Sequence, residues 1–150
     1  MFTLRQEVEV MSFANEIKNL YQSNQSKEYT PNISEAATAI VAMGKNQLRQ
    51  IATYPNSNSY IKAPLFGKKS LLCTVTSLYI SKNSNNKQSA KGHVFTRKYE
   101  GEIYGYELCD QADLNQLVKL ITQECKKDDI IVTTKKDLDG DHKLIFEIKL

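Results

Sequence analysis

The sequence predicts an α+β fold in which two helices precede an antiparallel sheet that carries one further helix. Apolar residues recur at helical spacing in residues 4–21 and 32–53, whereas β-branched and aromatic residues dominate from residue 70 onward. A third helical segment after residue 109 separates two hairpin signals. Helices followed by runs of strands are typical of α+β proteins, and the predicted order is ααβββαββ.

Two amphipathic helices are predicted in the N-terminal third. Asn32 can cap the second helix, and Glu35 follows three residues later, which is the spacing of a capping box. The two helices are predicted to pair as an antiparallel hairpin, because small residues in the second allow close approach. The stripe of the first helix contains Val10, Phe13, Ala14, Ile17, Leu20 and Tyr21. The stripe of the second contains Ile33, Ala36, Ala37, Ile40, Val41, Gly44, Leu48 and Ile51.

Residues 54–69 form a predicted connector, because Pro55, Pro64 and Gly67 interrupt any regular pattern. At 150 residues a single domain, 1–150, is expected. The connector is a possible sub-boundary between a helical part, 1–53, and a mixed part, 70–150. The sequence leaves open whether the chain is a whole protein or a piece of a longer one.

The C-terminal part is predicted to contain five strands and one helix. A tight turn at Glu100-Gly101 joins two strands, and Asp110 or Asp113 can cap the helix that follows. The almost wholly polar residues 81–92 are predicted to form a mobile loop. The predicted strands cover Leu71–Ile80, Val94–Tyr99, Glu102–Cys109, Asp129–Lys135 and Lys143–Leu150.

Charge is distributed very unevenly along the chain. Residues 36–99 contain ten basic residues and no acidic one, whereas the segments before and after have net charges of −2 and −5. Such a block attracts anions if its charges share one face. The basic side chains that we expect to bind the anion are Lys62, Lys68, Lys69, Lys82, Lys87, Lys91, Arg97 and Lys98.

These observations favour a small non-enzymatic binding module for an anionic partner, either nucleic acid or an acidic protein surface. Aromatic residues interleave with the charges and could stack on bases. Phosphoinositide is a weaker candidate, because no basic amphipathic helix stands out. Arginine is scarce, which favours diffuse electrostatic binding over sequence-specific DNA recognition. The interleaved aromatic residues are Tyr54, Tyr60, Phe66, Tyr79, Phe95 and Tyr99.

Two alternatives remain open at the sequence level. The chain could be a protein–protein interaction domain, for example part of a larger protein or a microbial effector, with a helix or an edge strand as its contact. It could also be an enzyme whose cysteine and histidine, such as Cys73 or Cys109 with His93, meet only in space. No motif of a known family is recognisable, and no nucleotide-binding loop is present.

No cofactor or metal site is expected. Asp137, Asp139 and Asp141 resemble the start of a calcium loop, but an EF-hand requires glycine and glutamate where His142 and Ile148 stand. Three widely spaced cysteines argue against a disulfide framework and for a reducing compartment such as the cytoplasm. Neither a standard signal peptide nor a transmembrane segment is visible, and export by a non-standard signal stays open.

Overall fold

The computed structural model describes residues 12–25, 31–55, 69–81 and 91–150, and the backbone of residues 61–62. Three helices and six strands lie in these ranges. The helices are α1 (Phe13–Ser23), α2 (Ile33–Thr53) and α3 (Gln111–Lys126). The strands are β1 (Ile61–Lys62), β2 (Ser70–Ile80), β3 (Val94–Tyr99), β4 (Glu102–Leu108), β5 (Ile131–Lys136) and β6 (His142–Lys149). The predicted α+β class and element order are confirmed, with the two-residue β1 added in the connector.

The predicted caps and turn have clear local causes. The side chain of Asn32 accepts a hydrogen bond from the backbone N–H of Glu35 at 2.8 Å, and Asp110 accepts one from Asp113 at 2.9 Å. Each bond satisfies a donor that the first helical turn leaves unpaired. Glu100 and Gly101 both have positive φ, 51° and 84°, which gives the β3–β4 hairpin the turn geometry that matches strand twist.

The sheet has the strand order β3-β4-β2-β6-β5, and β1 pairs with the start of β2. The expectation of a purely antiparallel sheet is wrong in one place, because β2 and β4 are parallel. Residues 81–93 separate β2 from β3, so no tight turn forces β3 to pair with β2. The β3–β4 hairpin instead places β4 next to β2 and leaves β3 at the edge.

Both α2 and α3 contribute to one hydrophobic core with the sheet. The core side of the sheet includes Leu78, Leu144 and Phe146, all fully buried. Gly44 allows α2 to approach closely, because a Cβ at this position would overlap the ring of Phe146. The eight-residue stripe predicted for α2 is buried in full.

The first helix differs from the predicted helical hairpin, in which its apolar stripe packs against α2. Residues 4–11 of the predicted helix lie outside the described residues, and α1 begins after the cap residue Ser12. None of the residues of α1 is buried. The predicted packing of an apolar stripe on α1 against α2 is therefore absent from the part of the chain that the structure describes.

Candidate functional site

One face of the sheet turns away from α2 and α3. Residues that pair directly across a sheet share a face. Pairing connects Arg97 to Gly105, Gly105 to Ser77, Ser77 to Lys143, and Lys143 to Lys135, so this row crosses five strands. The next row contains Leu78 and Tyr106, which belong to the core, so the Arg97 row lies on the opposite face. No described helix packs there, and we call it the open face.

A β-bulge places Tyr104 on the open face. Arg97 pairs with Gly105 and Lys98 with Ile103, so Tyr104 is an extra residue in β4. Its ring contacts the ring of Tyr79, which lies two residues after Ser77 on β2 and so belongs to the open face. Tyr104 is 42% exposed, and its backbone carbonyl accepts a hydrogen bond of 3.4 Å from the hydroxyl of Thr76. The strand is thus attached to β2 at the bulge itself.

Arg97, on the edge strand β3, is held by several neighbours on this surface. Its guanidinium donates to a carboxylate oxygen of Glu107 at 2.6 Å and lies 5.1 Å from the ring centre of Tyr79. A hydrogen bond with the side chain of Tyr104 is the main cause that raises the pKa of Arg97 above its ordinary value. The Arg97 side chain nevertheless keeps 43% of its surface exposed. The guanidinium is therefore oriented by three neighbours and remains accessible to a ligand.

The two tyrosines are also held in place. Tyr79 and Tyr104 meet edge to face, with ring centres 6.1 Å apart. Gly105 makes room for the Tyr79 ring, because a Cβ on Gly105 would collide with that ring and lie 2.9 Å from the carbonyl oxygen of Ser77. Desolvation raises the pKa of Tyr79 above the ordinary value of a phenol, which is already protonated at neutral pH. A glycine in the middle of a strand here serves the placement of an aromatic ring.

A second cation lies beside this cluster. Lys143 donates to the buried hydroxyl of Ser77 at 2.8 Å, and its ammonium is 4.0 Å from a carboxylate oxygen of Asp137. The side chain of Lys143 is 40% exposed. A solvated ammonium is a poor general base, since an effective lysine base is desolvated. The Ser77–Lys143 pair therefore supports a positioned positive charge better than a catalytic dyad.

The structure does not gather the described basic residues that the sequence predicted. Lys69 directly precedes β2, whereas Lys91 precedes β3, whose start lies beside the end of β2. The eleven residues of β2 span about 35 Å, so these two lysines lie at opposite ends of the sheet. Lys98 pairs with Ile103, which packs on the core, so Lys98 lies on the helix side and Arg97 on the open face.

The structure does not describe the side chains of the other four predicted binding residues, so their placement stays a prediction. Lys68, Lys82 and Lys87 lie outside the described residues. Only the backbone of Lys62 is described, and it pairs with Ser70. Sequence reasoning missed Tyr104 and Lys143, which lie beyond the acid-free block. Strand register places Tyr104 next to Gly105, the partner of Arg97, and places Lys143 two strands farther along the same row.

The thiols offer little for nucleophilic chemistry. Cys73 and Cys125 are buried in the core, and desolvation raises the pKa of each, to about 11 for Cys125. Both thiols are therefore protonated at neutral pH, and the thiolate is the nucleophilic form. Cys109 is half-buried, and His93 is exposed.

Among the described residues, two groups of carboxylate and thiol side chains are close enough together to surround a cation. Asp137, Asp139 and Asp141 form one of them, but Asp137 already accepts backbone N–H bonds from the other two residues, each at 3.0 Å. Cys109, Asp110 and Asp113 form the second. There Asp110 caps α3, and the buried Asp113 accepts the N–H of Gly92 at 3.1 Å. The structural roles of these carboxylates account for both groups.

Comparison of the chain with models of protein families, with curated proteins and with solved structures returns no match. No helix in the described ranges is both long and apolar enough to cross a membrane. The geometry of the open face is therefore the basis for the functional proposal.

Proposed function

We propose that the protein is a binding module for single-stranded nucleic acid and that the open face of the sheet is its contact surface. The observation that supports this most strongly is the guanidinium of Arg97, which Glu107 and Tyr104 orient over the ring of Tyr79. Lys143 stands in the same cross-strand row as Arg97. Planar groups and cations are therefore adjacent on a surface that no described helix covers.

The chemistry of a single strand suits this surface. Unpaired bases can stack on aromatic rings or on a guanidinium plane, and open sheet faces present such groups at strand spacing. The exposed ring of Tyr104 and the outer plane of Arg97 are the stacking groups, and Lys143 and Lys135 lie within reach of the phosphates. A duplex hides its base faces, so it can use only the cations.

Charge alone is not expected to dominate binding at this face. By register, Lys135, Lys143 and Lys149 share the open face with Glu107 and Glu147. Phosphate contacts give affinity a steep salt dependence, whereas stacking does not. The basic block at residues 36–99 would add a long-range attraction, and the open face would supply the stacking contacts.

Fluorescence anisotropy tests the proposal at two salt concentrations. The ligands are a short single-stranded oligonucleotide, a duplex of the same length, and polyphosphate, which has charges but no bases. We expect the single strand to bind more tightly than either competitor. Tyr104→Ala should weaken single-strand binding roughly tenfold, because a base stacked on an aromatic ring contributes about 1–3 kcal/mol.

The matched control is Tyr54→Ala, which removes a tyrosine that is 65% exposed at the end of α2, away from the open face. This variant should bind like the parent protein. Equal binding of polyphosphate and oligonucleotide, with no effect of Tyr104→Ala, would contradict stacking and favour an acidic partner instead. Absence of binding to all three ligands would remove the proposed function.

A further inference from the structure

The apolar stripe of α1 lies in solvent. Phe13, Ile17, Leu20 and Tyr21, which we call the α1 stripe, are 69%, 46%, 52% and 67% exposed. Their spacing puts them on one side of the helix. A cluster of four large apolar side chains is more than the scattered single residues that ordinary surfaces expose.

A helix as short as α1 needs a partner to be stable. It has 11 residues, and isolated helices of this length are marginal in water because nucleation is costly. The Ser12 cap, which accepts the N–H of Asn15 at 3.2 Å, supplies only part of the stabilisation. Packing of the α1 stripe against another apolar surface would supply the remainder.

The same molecule offers a groove of suitable chemistry. A cleft of about 340 Å³ lies between the C-terminal half of α2 and the sheet, and we call it the α2 groove. Its polar lining consists of Arg49 and the ion pair between Lys45 and Asp128, whose charged atoms are 2.6 Å apart. Its apolar lining consists of Leu48, Ala52, Leu71, Ile130 and Ile148. The groove can therefore accept an amphipathic helix.

Charge complementarity connects the α1 stripe to this groove. Glu16 lies three residues after Phe13 and four before Leu20, so it borders the stripe. Within the described residues Arg49 donates to Asn46 at 3.0 Å and forms no ion pair. A helix seated in the groove could bring Glu16 to Arg49. A lipid surface fits less well, because surface helices are rich in lysine and arginine and α1 has only Lys18.

We propose that the α1 stripe packs into the α2 groove of a second copy of this chain. Each copy offers one helix and one groove, so reciprocal exchange closes a two-fold symmetric dimer. The occupant is a second copy, because the α1 stripe of the same chain stays exposed in the structure.

Sedimentation equilibrium over a range of protein concentrations tests this dimer. The parent protein should dimerise. Ile17→Asp should weaken dimerisation at least about tenfold, because it buries a charge in an apolar groove. Asn15→Asp, on the side of α1 opposite the stripe, is the matched control and should dimerise like the parent. Circular dichroism should show both variants folded, because α1 contributes no buried residue.

A mixing experiment separates exchange between copies from closure within one copy. Glu16→Arg and Arg49→Glu each place like charges together, so each variant alone should dimerise weakly. In a dimer of one copy of each variant, both helix–groove contacts again join opposite charges, so the mixture should recover dimerisation. Closure of α1 within its own chain gains nothing from mixing.

Three results would overturn the proposal. They are a parent protein that stays monomeric at all concentrations, an Ile17→Asp variant that dimerises like the parent, and a mixture that associates no better than its components. A monomeric parent with α1 protected from hydrogen exchange would assign the groove to the helix of the same chain. A monomer that pellets with vesicles would assign the stripe to lipid.

Discussion

The two faces of the sheet use the same strands for different purposes. Toward the helices, Leu144 and Phe146 are fully buried, whereas Lys143 and Ile145, their neighbours on β6, lie on the open face and are half-buried. The side chains on the helix side stabilise the fold by packing. Those on the open face are positioned by hydrogen bonds and ring contacts. Truncating adjacent residues of one strand should therefore lower the free energy of unfolding by very different amounts.

The largest expected effect is on the helix side. Phe146→Ala should lower the free energy of unfolding by about 4 kcal/mol, because it opens a cavity in the core. Ile145→Ala, one residue earlier on the open face, should cost about 1 kcal/mol, because this side chain is only half-buried. Urea unfolding measures both. Equal losses would mean that the open face is as well packed as the helix side.

A substitution of α2 should have the next largest effect. Gly44→Ala adds a methyl group where the ring of Phe146 lies, and overpacking of this kind costs about 2 kcal/mol. Combining it with Phe146→Leu, which removes ring atoms from the contact, should cost less than the sum of the two single changes. Strict additivity in this double-mutant cycle would show that Gly44 and Phe146 do not limit each other.

A smaller effect is expected from the titration of Cys125, which is also buried in the core on the helix side. Burial raises the pKa of Cys125 from about 9 to about 11, so its thiol is protonated in the folded protein. The contribution of the protonated Cys125 thiol to the free energy of unfolding is therefore fully present below pH 9 and is lost as the pH rises toward 11. Cys125→Ala should therefore flatten the fall in unfolding free energy over this window, measured by urea unfolding. Cys109→Ala is the control, and an equal flattening by both variants would contradict the assignment.

The smallest change in stability is expected at Arg97 and Lys98, where two adjacent cations face opposite ways. Arg97→Gln should weaken single-strand binding several-fold, because it removes the oriented guanidinium. Lys98→Gln should change binding little. Both variants should unfold within about 1 kcal/mol of the parent, since both residues are exposed. Equal losses of affinity would favour the simple basic block over the open face.

Much of the fold could be predicted because local signals agreed with tertiary packing. The capping positions of Asn32 and Asp110, the positive-φ turn at Glu100-Gly101 and the stripe of α2 depend on a few neighbouring residues. The parallel pairing of β2 with β4 could not be predicted, because hydrophobic alternation is the same in either direction. The exposure of α1 could not be predicted, because an apolar stripe shows that a helix has an apolar side but not which surface packs against it.

The candidate site was harder to predict than the fold. Charge counted along the chain groups Arg97 with Lys98, but strand alternation separates them. The bulge at Tyr104 changes the face of later residues in β4, and no local sequence signal marks its position. The sequence alone identifies Tyr79, Phe95 and Tyr99 as aromatic residues among the charges, whereas the placement of Tyr104 and Lys143 depends on the register of the strands.

The pairing of β2 with β6 also constrains the order in which the molecule can assemble. Residues 70–78 find their antiparallel partners at residues 142–149, so the longest central ladder joins segments some seventy residues apart in sequence. The β3–β4 and β5–β6 hairpins can form from local contacts, but β2 needs both before its two edges are covered. During synthesis on the ribosome, β2 must wait for β6 to emerge, and its exposed edges make this interval the time of greatest risk of aggregation.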